Sequence, residues 1–133
     1  MEIESLWLRN FRCFEGDRVQ PIGPETWLAG PNGAGKTSVL EAIYVLLRGQ
    51  TFLSSRHGPL VRNGADSAVL GCRVRTEAER RLGLSCSVVG RACQARIDGE
   101  ETPRQSLTER VGVARLFGAN AQELVSGEPR VRR

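Results

Sequence analysis

Eight residues carry the spacing of a phosphate-binding loop: Gly30-Pro31-Asn32-Gly33-Ala34-Gly35-Lys36-Thr37. They match G-x-x-x-x-G-K-T at every required position. A triphosphate needs several backbone N–H groups close around it, and only a loop with little side-chain bulk lets the backbone come so near. Gly33 and Gly35 provide that freedom, including positive φ where the turn demands it. Lys36 supplies a compact charge for the β- and γ-phosphates of ATP, and the Thr37 hydroxyl a ligand for Mg²⁺. Ser38, one position further, is spaced to meet the α-phosphate. Residues 30–38 together form the candidate cofactor site. The chain holds 18 Arg and one Lys, and that Lys is Lys36. A planar, bulkier guanidinium does this job poorly, so an Arg-rich chain that keeps Lys here points to the chemistry of the site.

The loop needs a strand to enter it and a helix to leave it. Thr26-Trp27-Leu28-Ala29 is a short apolar run and predicts a strand buried on both faces. After the loop, Val39, Leu40, Ile43, Leu46 and Leu47 fall on one helical face. Glu41, Tyr44 and Arg48 mark the opposite side, and Gly49 is the expected C-terminal cap. Such a helix directs its N-terminal N–H groups and positive dipole end at an anion.

Around this unit, Glu2 to Arg9 reads as a strand and Arg18-Val19-Gln20 as a shorter one, with Pro21, Gly23 and Pro24 marking a turn. Residues 50–66 read as irregular, with a turn at Asn63-Gly64. Ala68–Arg75, Leu82–Val89 and Ala92–Ile97 are three closely spaced strands, expected to form an antiparallel meander. Asp98-Gly99 is a hairpin signal. Thr102-Pro103 opens a helix ending near Gly112, and Val113–Phe117 predicts a further buried strand. Glu128 to Arg133 reads as the start of another element.

The 133 residues, 40% hydrophobic and 26% charged, suit one globular domain. The longest apolar run, Ala42 to Leu47, is far too short to cross a bilayer. Glu2 and Glu4 after Met1 do not suit a secretory signal. Cys13, Cys72, Cys86 and Cys93 contain no CxxC pair and read as reduced thiols of a cytoplasmic protein. A single histidine, His57, argues against a histidine-rich metal site or a Ser-His-Asp triad. The net charge of +4 is unevenly distributed, with an excess of +6 in residues 48–96. Such an excess fits contact with a nucleic-acid backbone. Arg48, Arg56 and Arg62 are the candidate DNA-facing residues. Arg73, Arg75, Arg80, Arg81 and Arg91 are assigned to the solvent side of the meander. Arg12, leaving the first strand, is expected either to touch the nucleotide or to pack against its loop.

The opening Leu6-Trp7-Leu8-Arg9-Asn10-Phe11-Arg12-Cys13-Phe14 resembles the L-x-L-x-N-F-R start of the RecF, Rad50, RecN and SMC group of ABC-type ATPases. Gly30 to Ile43 looks like the Walker A loop and helix of the RecF family. Gly49-Gln50-Thr51-Phe52-Leu53-Ser54 is similar to its G-R-A-F-R-S stretch. Arg96-Ile97-Asp98-Gly99 and Leu124 to Arg133 also resemble RecF, in RecF order. The resemblance implies an α/β P-loop NTPase fold, with residues 1–133 as the N-terminal part of an ABC-type ATPase head that includes an antiparallel meander. It implies an ATP-dependent, DNA-binding repair protein of the cytoplasm that acts at single-strand gaps and their duplex junctions. It also implies an ATP-dependent homodimer that works with RecR and RecO, supports RecA loading, and is linked to replication and the SOS response.

Three departures stand out. Gln50 and Leu53 replace the arginines of G-R-A-F-R-S, and Ala119-Asn120-Ala121 stands where RecF proteins carry a Pro-Glu-Asp-like run. The helical lobe, signature motif, Walker B aspartate and catalytic glutamate of the family are not in the chain. No catalytic residue is therefore assigned, and efficient hydrolysis by these residues alone is not expected. The alternatives are a Rad50- or SMC-like head, a transporter-type nucleotide-binding domain, and a truncated, non-hydrolysing remnant.

Overall fold

Every second residue of Ala68, Leu70, Cys72 and Val74 is apolar and buried, and Leu84, Cys86 and Val88 repeat the pattern. That period of two fixes which face of a sheet meets the core. The computed structural model describes residues 1–53, 59–90, 92–112 and 115, and forms that sheet from six strands. They are β1 (Glu2–Phe11), β2 (Phe14–Pro21), β3 (Ala68–Arg75), β4 (Arg81–Val89), β5 (Ala92–Ile97) and β6 (Glu100–Glu101). Their order is β2-β1-β3-β4-β5-β6, and every pair is antiparallel. Leu8 lies opposite Leu70, Leu70 opposite Cys86, and Cys86 opposite Ala95, so one buried row crosses four strands. Helices α1 (Lys36–Arg48) and α2 (Arg104–Val111) supply the other half of the core through Ala42, Val45, Leu46, Leu107 and Val111. Each large aliphatic side chain buried this way contributes about 1.5–3 kcal/mol.

The meander is as expected: β3, β4 and β5 pair in sequence order. Asp98 and Gly99 both take positive φ, 51° and 86°, as a tight hairpin turn requires. On the open face Gly71 sits under the Trp7 indole. A Cβ there would lie 1.9 Å from Trp7 Cε2, so no other residue fits beneath that ring. Gly49 closes α1 in the left-handed region and donates its N–H to Val45 O at 2.7 Å. The second strand is longer than expected, and the helix after Pro103 ends at Val111, before Gly112.

Three expectations are corrected. Thr26–Ala29 is not a strand: Trp27 is 86% exposed, and only Leu28 packs on the core. Apolar content alone does not make a strand, and this segment forms no ladder with any of the six described strands. The assignment of faces on α1 also changes. Leu40 is 43% exposed, whereas Glu41 is fully buried. The third correction concerns the cysteines. Cys86 and Cys93 form a disulfide, with Cα atoms 6.1 Å apart, while Cys13 and Cys72 are free thiols. Cys86 faces Ala95 and Cys93 faces Val88, so the pairing register sets the two sulfurs diagonally across one hairpin. The strand proposed at Val113–Phe117 and the segments Ala119–Ala121 and Leu124–Arg133 lie outside the described residues, except that Arg115 is exposed.

Candidate phosphate-binding site

Between the exposed Trp27 segment and α1, the chain runs through an exposed loop whose glycines hold it in the left-handed region. Gly30, Gly33 and Gly35 have φ of 153°, 83° and 93°. Ala34 donates its N–H to Pro31 O at 3.2 Å, and Val39 donates to Gly35 O at 3.0 Å. The amides of Asn32, Gly33 and Gly35 donate to no acceptor among the described residues. The first N–H groups of α1 have no partner within the helix either. Unused donors are thus concentrated at one place, where the helix dipole also favours negative charge.

Lys36 opens α1, and its ammonium turns back on the loop, donating to Gly30 O at 2.6 Å and Pro31 O at 2.8 Å. The lysine holds the loop's carbonyl side together while its amides remain available. Thr37 is exposed and Ser38 half-buried on the first turn of the helix. No group of three or more His, Cys, Asp or Glu that could hold a metal occurs among the described residues. A hydroxyl beside bound phosphates suits Mg²⁺, which is commonly held through few protein ligands and the phosphates themselves.

The loop leans on the turn between β1 and β2. A Cβ on Gly35 would lie 2.8 Å from Cys13 Sγ and 2.8 Å from Phe14 Cζ, so the turn touches the backbone where it enters α1. Asn10, near the end of β1, and Arg12, in that turn, have positive φ, 52° and 54°, an uncommon conformation for residues with a Cβ. Two backbone bonds, Arg12 N–H to Leu60 O and Arg62 N–H to Asn10 O, both 2.8 Å, hold it from the far side. Arg12 then reaches Glu41 on α1: Nε to Oε2 and Nη2 to Oε1, each 2.7 Å. Its Nη1 donates to Pro59 O at 3.2 Å, and the Thr51 hydroxyl donates to Glu41 Oε1. The Glu41 side chain is wholly buried and that of Arg12 is 11% exposed. Arg12 therefore packs beside the loop through an ion pair. Sequence reasoning did not find Glu41 as its partner. The available signal was a lone carboxylate within the apolar run Val39 to Leu47, which must meet a cation if that face is covered.

Arg12, Cys13, Ser38, Pro59, Val61, Arg62 and Asn63 line a groove of about 530 Å³. The structure describes two of the three candidate DNA contacts. Arg48 is half-buried in the last turn of α1. Arg62 donates to Glu15 at 2.9 Å and to Cys13 O at 3.1 Å. Arg56 lies outside the described residues. Of the arginines assigned to solvent, Arg75 pairs with Glu2 and Glu79, and Arg81 with Glu4. Arg73 and Arg80 are exposed, and Arg91 is not described.

The AAA ATPase domain family matches residues 1–97. DNA replication and repair protein RecF of Erwinia tasmaniensis is 34% identical over 134 aligned residues, covering all of this chain and 37% of that protein. RecF of Yersinia enterocolitica is 35% identical over the same span. This chain thus spans about 37% of the length of the curated relatives it matches. A RecF–ATP structure from the RecFOR pathway superposes with a TM-score of 0.76 at 19% identity, over 96% of this chain and 35% of that one. The SMC head domain from Thermotoga maritima gives 0.62 at 20% identity, over 83% of this chain and 42% of that one. The fold is that of RecF and SMC ATPase heads in part. The chain belongs to the AAA ATPase domain family, and it is RecF-like in sequence from end to end.

Proposed function

We propose that residues 1–133 form the N-terminal part of an ABC-type ATPase head and that the loop Gly30–Ser38 binds the triphosphate of ATP. The observation that carries this is the exposed loop with positive-φ glycines and unpaired amides at the start of α1, with the chain's single lysine inside it. Pro31, Asn32 and Ala34 contribute backbone, and Gly30, Gly33 and Gly35 give the close approach. Lys36 exchanges its two carbonyl acceptors for phosphate oxygens, a stronger charge-assisted interaction. Thr37 would be the protein's ligand to Mg²⁺, which would supply positive charge to offset that of the phosphates. Ser38 faces the α-phosphate.

The relatives named RecF support a place for the whole protein in ATP-dependent DNA repair and replication. In that reading it is an ATP-dependent homodimer in the cytoplasm that binds single-strand gaps and their duplex junctions. It acts with RecR and RecO in support of RecA loading and the SOS response. Among the described residues no helix is long and apolar enough to cross a membrane. Arg48 and Arg56 are the DNA contacts we retain, because Arg62 is engaged by Glu15 and the Cys13 carbonyl.

Calorimetric titration of the chain with ATP and Mg²⁺ tests the nucleotide site. Saturable binding, lost in Lys36→Ala and weakened without Mg²⁺, is the expected result. Equal binding by Lys36→Ala sinks the assignment.

A further inference from the structure

We propose that Arg12 and Glu41 are positioning residues for the phosphate loop, acting on nucleotide affinity without touching the nucleotide. The inference rests on the nucleotide reading above and assigns a role to a pair outside the loop.

Arg12 is committed to protein oxygens through its backbone and side chain. Its N–H donates to Leu60 O, and each of its three guanidinium nitrogens donates to Glu41 or Pro59. Glu41 takes both ends of the fork and also accepts the Thr51 hydroxyl, in a position with no solvent exposure. A bidentate Arg–carboxylate pair fixes orientation as well as distance. Here it fixes the rotation of α1, whose first turn carries Lys36, Thr37 and Ser38, relative to the β1–β2 turn.

The same turn presses on the loop at a second point. Cys13 Sγ and Phe14 Cζ each lie 2.8 Å from where a Cβ of Gly35 would be, so the loop backbone packs against the turn. The residues between these contacts are few: Arg12 adjoins Cys13, and Gly35 adjoins Lys36. One ion pair therefore sets the helix end and the loop wall together. Amide donors of an anion site work only when held close to their productive geometry by such supporting contacts. Loss of the hydrogen-bond partners that orient metal ligands weakens those sites by about 10- to 100-fold, and the same scale is expected here.

The test combines ATP–Mg²⁺ titration with amide hydrogen exchange on the nucleotide-free chain, using Arg12→Lys, Glu41→Gln and their double variant. Arg12→Lys keeps the charge and loses the fork; Glu41→Gln keeps the shape and loses the ion pair. Each is expected to weaken ATP binding about 10- to 100-fold, and the double variant no more than the worse single one. Exchange is expected to rise at residues 33–37 while β3–β5 stay protected. Thr51→Val, which removes only one donor to Glu41, should move both readouts less and in the same direction. It keeps the question open to measurement if either polar variant fails to fold. Weaker binding in Arg12→Lys with wild-type binding in Glu41→Gln overturns the proposal, because Arg12 then meets the nucleotide directly. Unchanged exchange at residues 33–37 in every folded variant overturns it as well. A wild-type chain that binds no ATP, but whose loop exchange responds to these variants, overturns the nucleotide reading and leaves the brace standing.

Discussion

In the meander from Ala68 to Ile97, each strand finds neighbours for its backbone, and its inward side chains are almost wholly buried. From Thr26 to Gly35 the same chain is mostly exposed, forms no ladder with the described strands and has amides that find no acceptor among the described residues. The two regions differ in what completes them. The meander is completed by its own register, and the loop, in the function proposed above, by a phosphate ligand. Its shape comes from elsewhere, through the Lys36 contacts, the packing of Cys13 and Phe14, and the buried pair behind α1. Stability and binding should therefore separate under mutation, with Glu41 the place where they meet.

The largest stability effect is expected at that meeting point. Glu41→Ala leaves Arg12 buried without its carboxylate and should cost about 3–5 kcal/mol in chemical denaturation. It should weaken nucleotide binding as well. In the meander, Leu84→Ala removes a fully buried side chain and should cost about 2–5 kcal/mol. ATP affinity of the folded protein should not change there, and a loss of affinity comparable to that of Glu41→Ala would erase the distinction between the regions. Lys36→Ala gives the mirror image. Stability should fall by about 1 kcal/mol or less, since only contacts with loop carbonyls are lost, while ATP binding disappears.

The free thiols separate the regions more gently. Burial pushes the Cys72 thiol on β3 up to about 12, whereas Cys13 beside the loop is exposed. Iodoacetamide near neutral pH should label Cys13 and spare Cys72 until the chain is denatured. Cys72 is raised above its reference value of 9.0, so its contribution is fully present below pH 9 and is lost as pH rises toward 12. A denaturation midpoint that falls across that window in the wild type, and does not in Cys72→Ala, is the expected outcome. The smallest effect belongs to the edge. Arg9 holds the Asp17 carboxyl below its usual range through a hydrogen bond, on two exposed side chains. Its slight stabilisation should exist above the ordinary carboxylate range, fade as pH falls through the lowered value, and vanish in high salt in a melting experiment.

Much of this was legible because it depends on local rules. The close spacing of three strand-like segments between Ala68 and Ile97 pointed to the meander, Asp98-Gly99 to the turn after it, and Gly49 to the end of α1. The loop's glycines and lysine announced themselves by type and spacing. Misreadings arose where a residue's role depends on a neighbour distant in sequence. Thr26–Ala29 has strand composition and no ladder partner among the described strands. Glu41 and Leu40 exchanged their expected exposures because α1 is covered by Arg12 and Thr51 on the side that looked polar. Cys86 and Cys93 are brought together by a hairpin register that no spacing rule encodes.

The sequence by itself determined the periodicities, the turns and the phosphate loop, since each follows from the geometry of a few consecutive residues. Only the tertiary structure decided where the charge goes. The excess of +6 in residues 48–96 looks like one basic surface when read along the chain. In space, β1 lies beside β3 and near β4, and the β1–β2 turn lies beside Arg62. Glu2, Glu4 and Glu15 thereby meet Arg75, Arg81 and Arg62. Opposite charges far apart in sequence attract only once the sheet has set their distance, because Coulomb energy depends on separation in space.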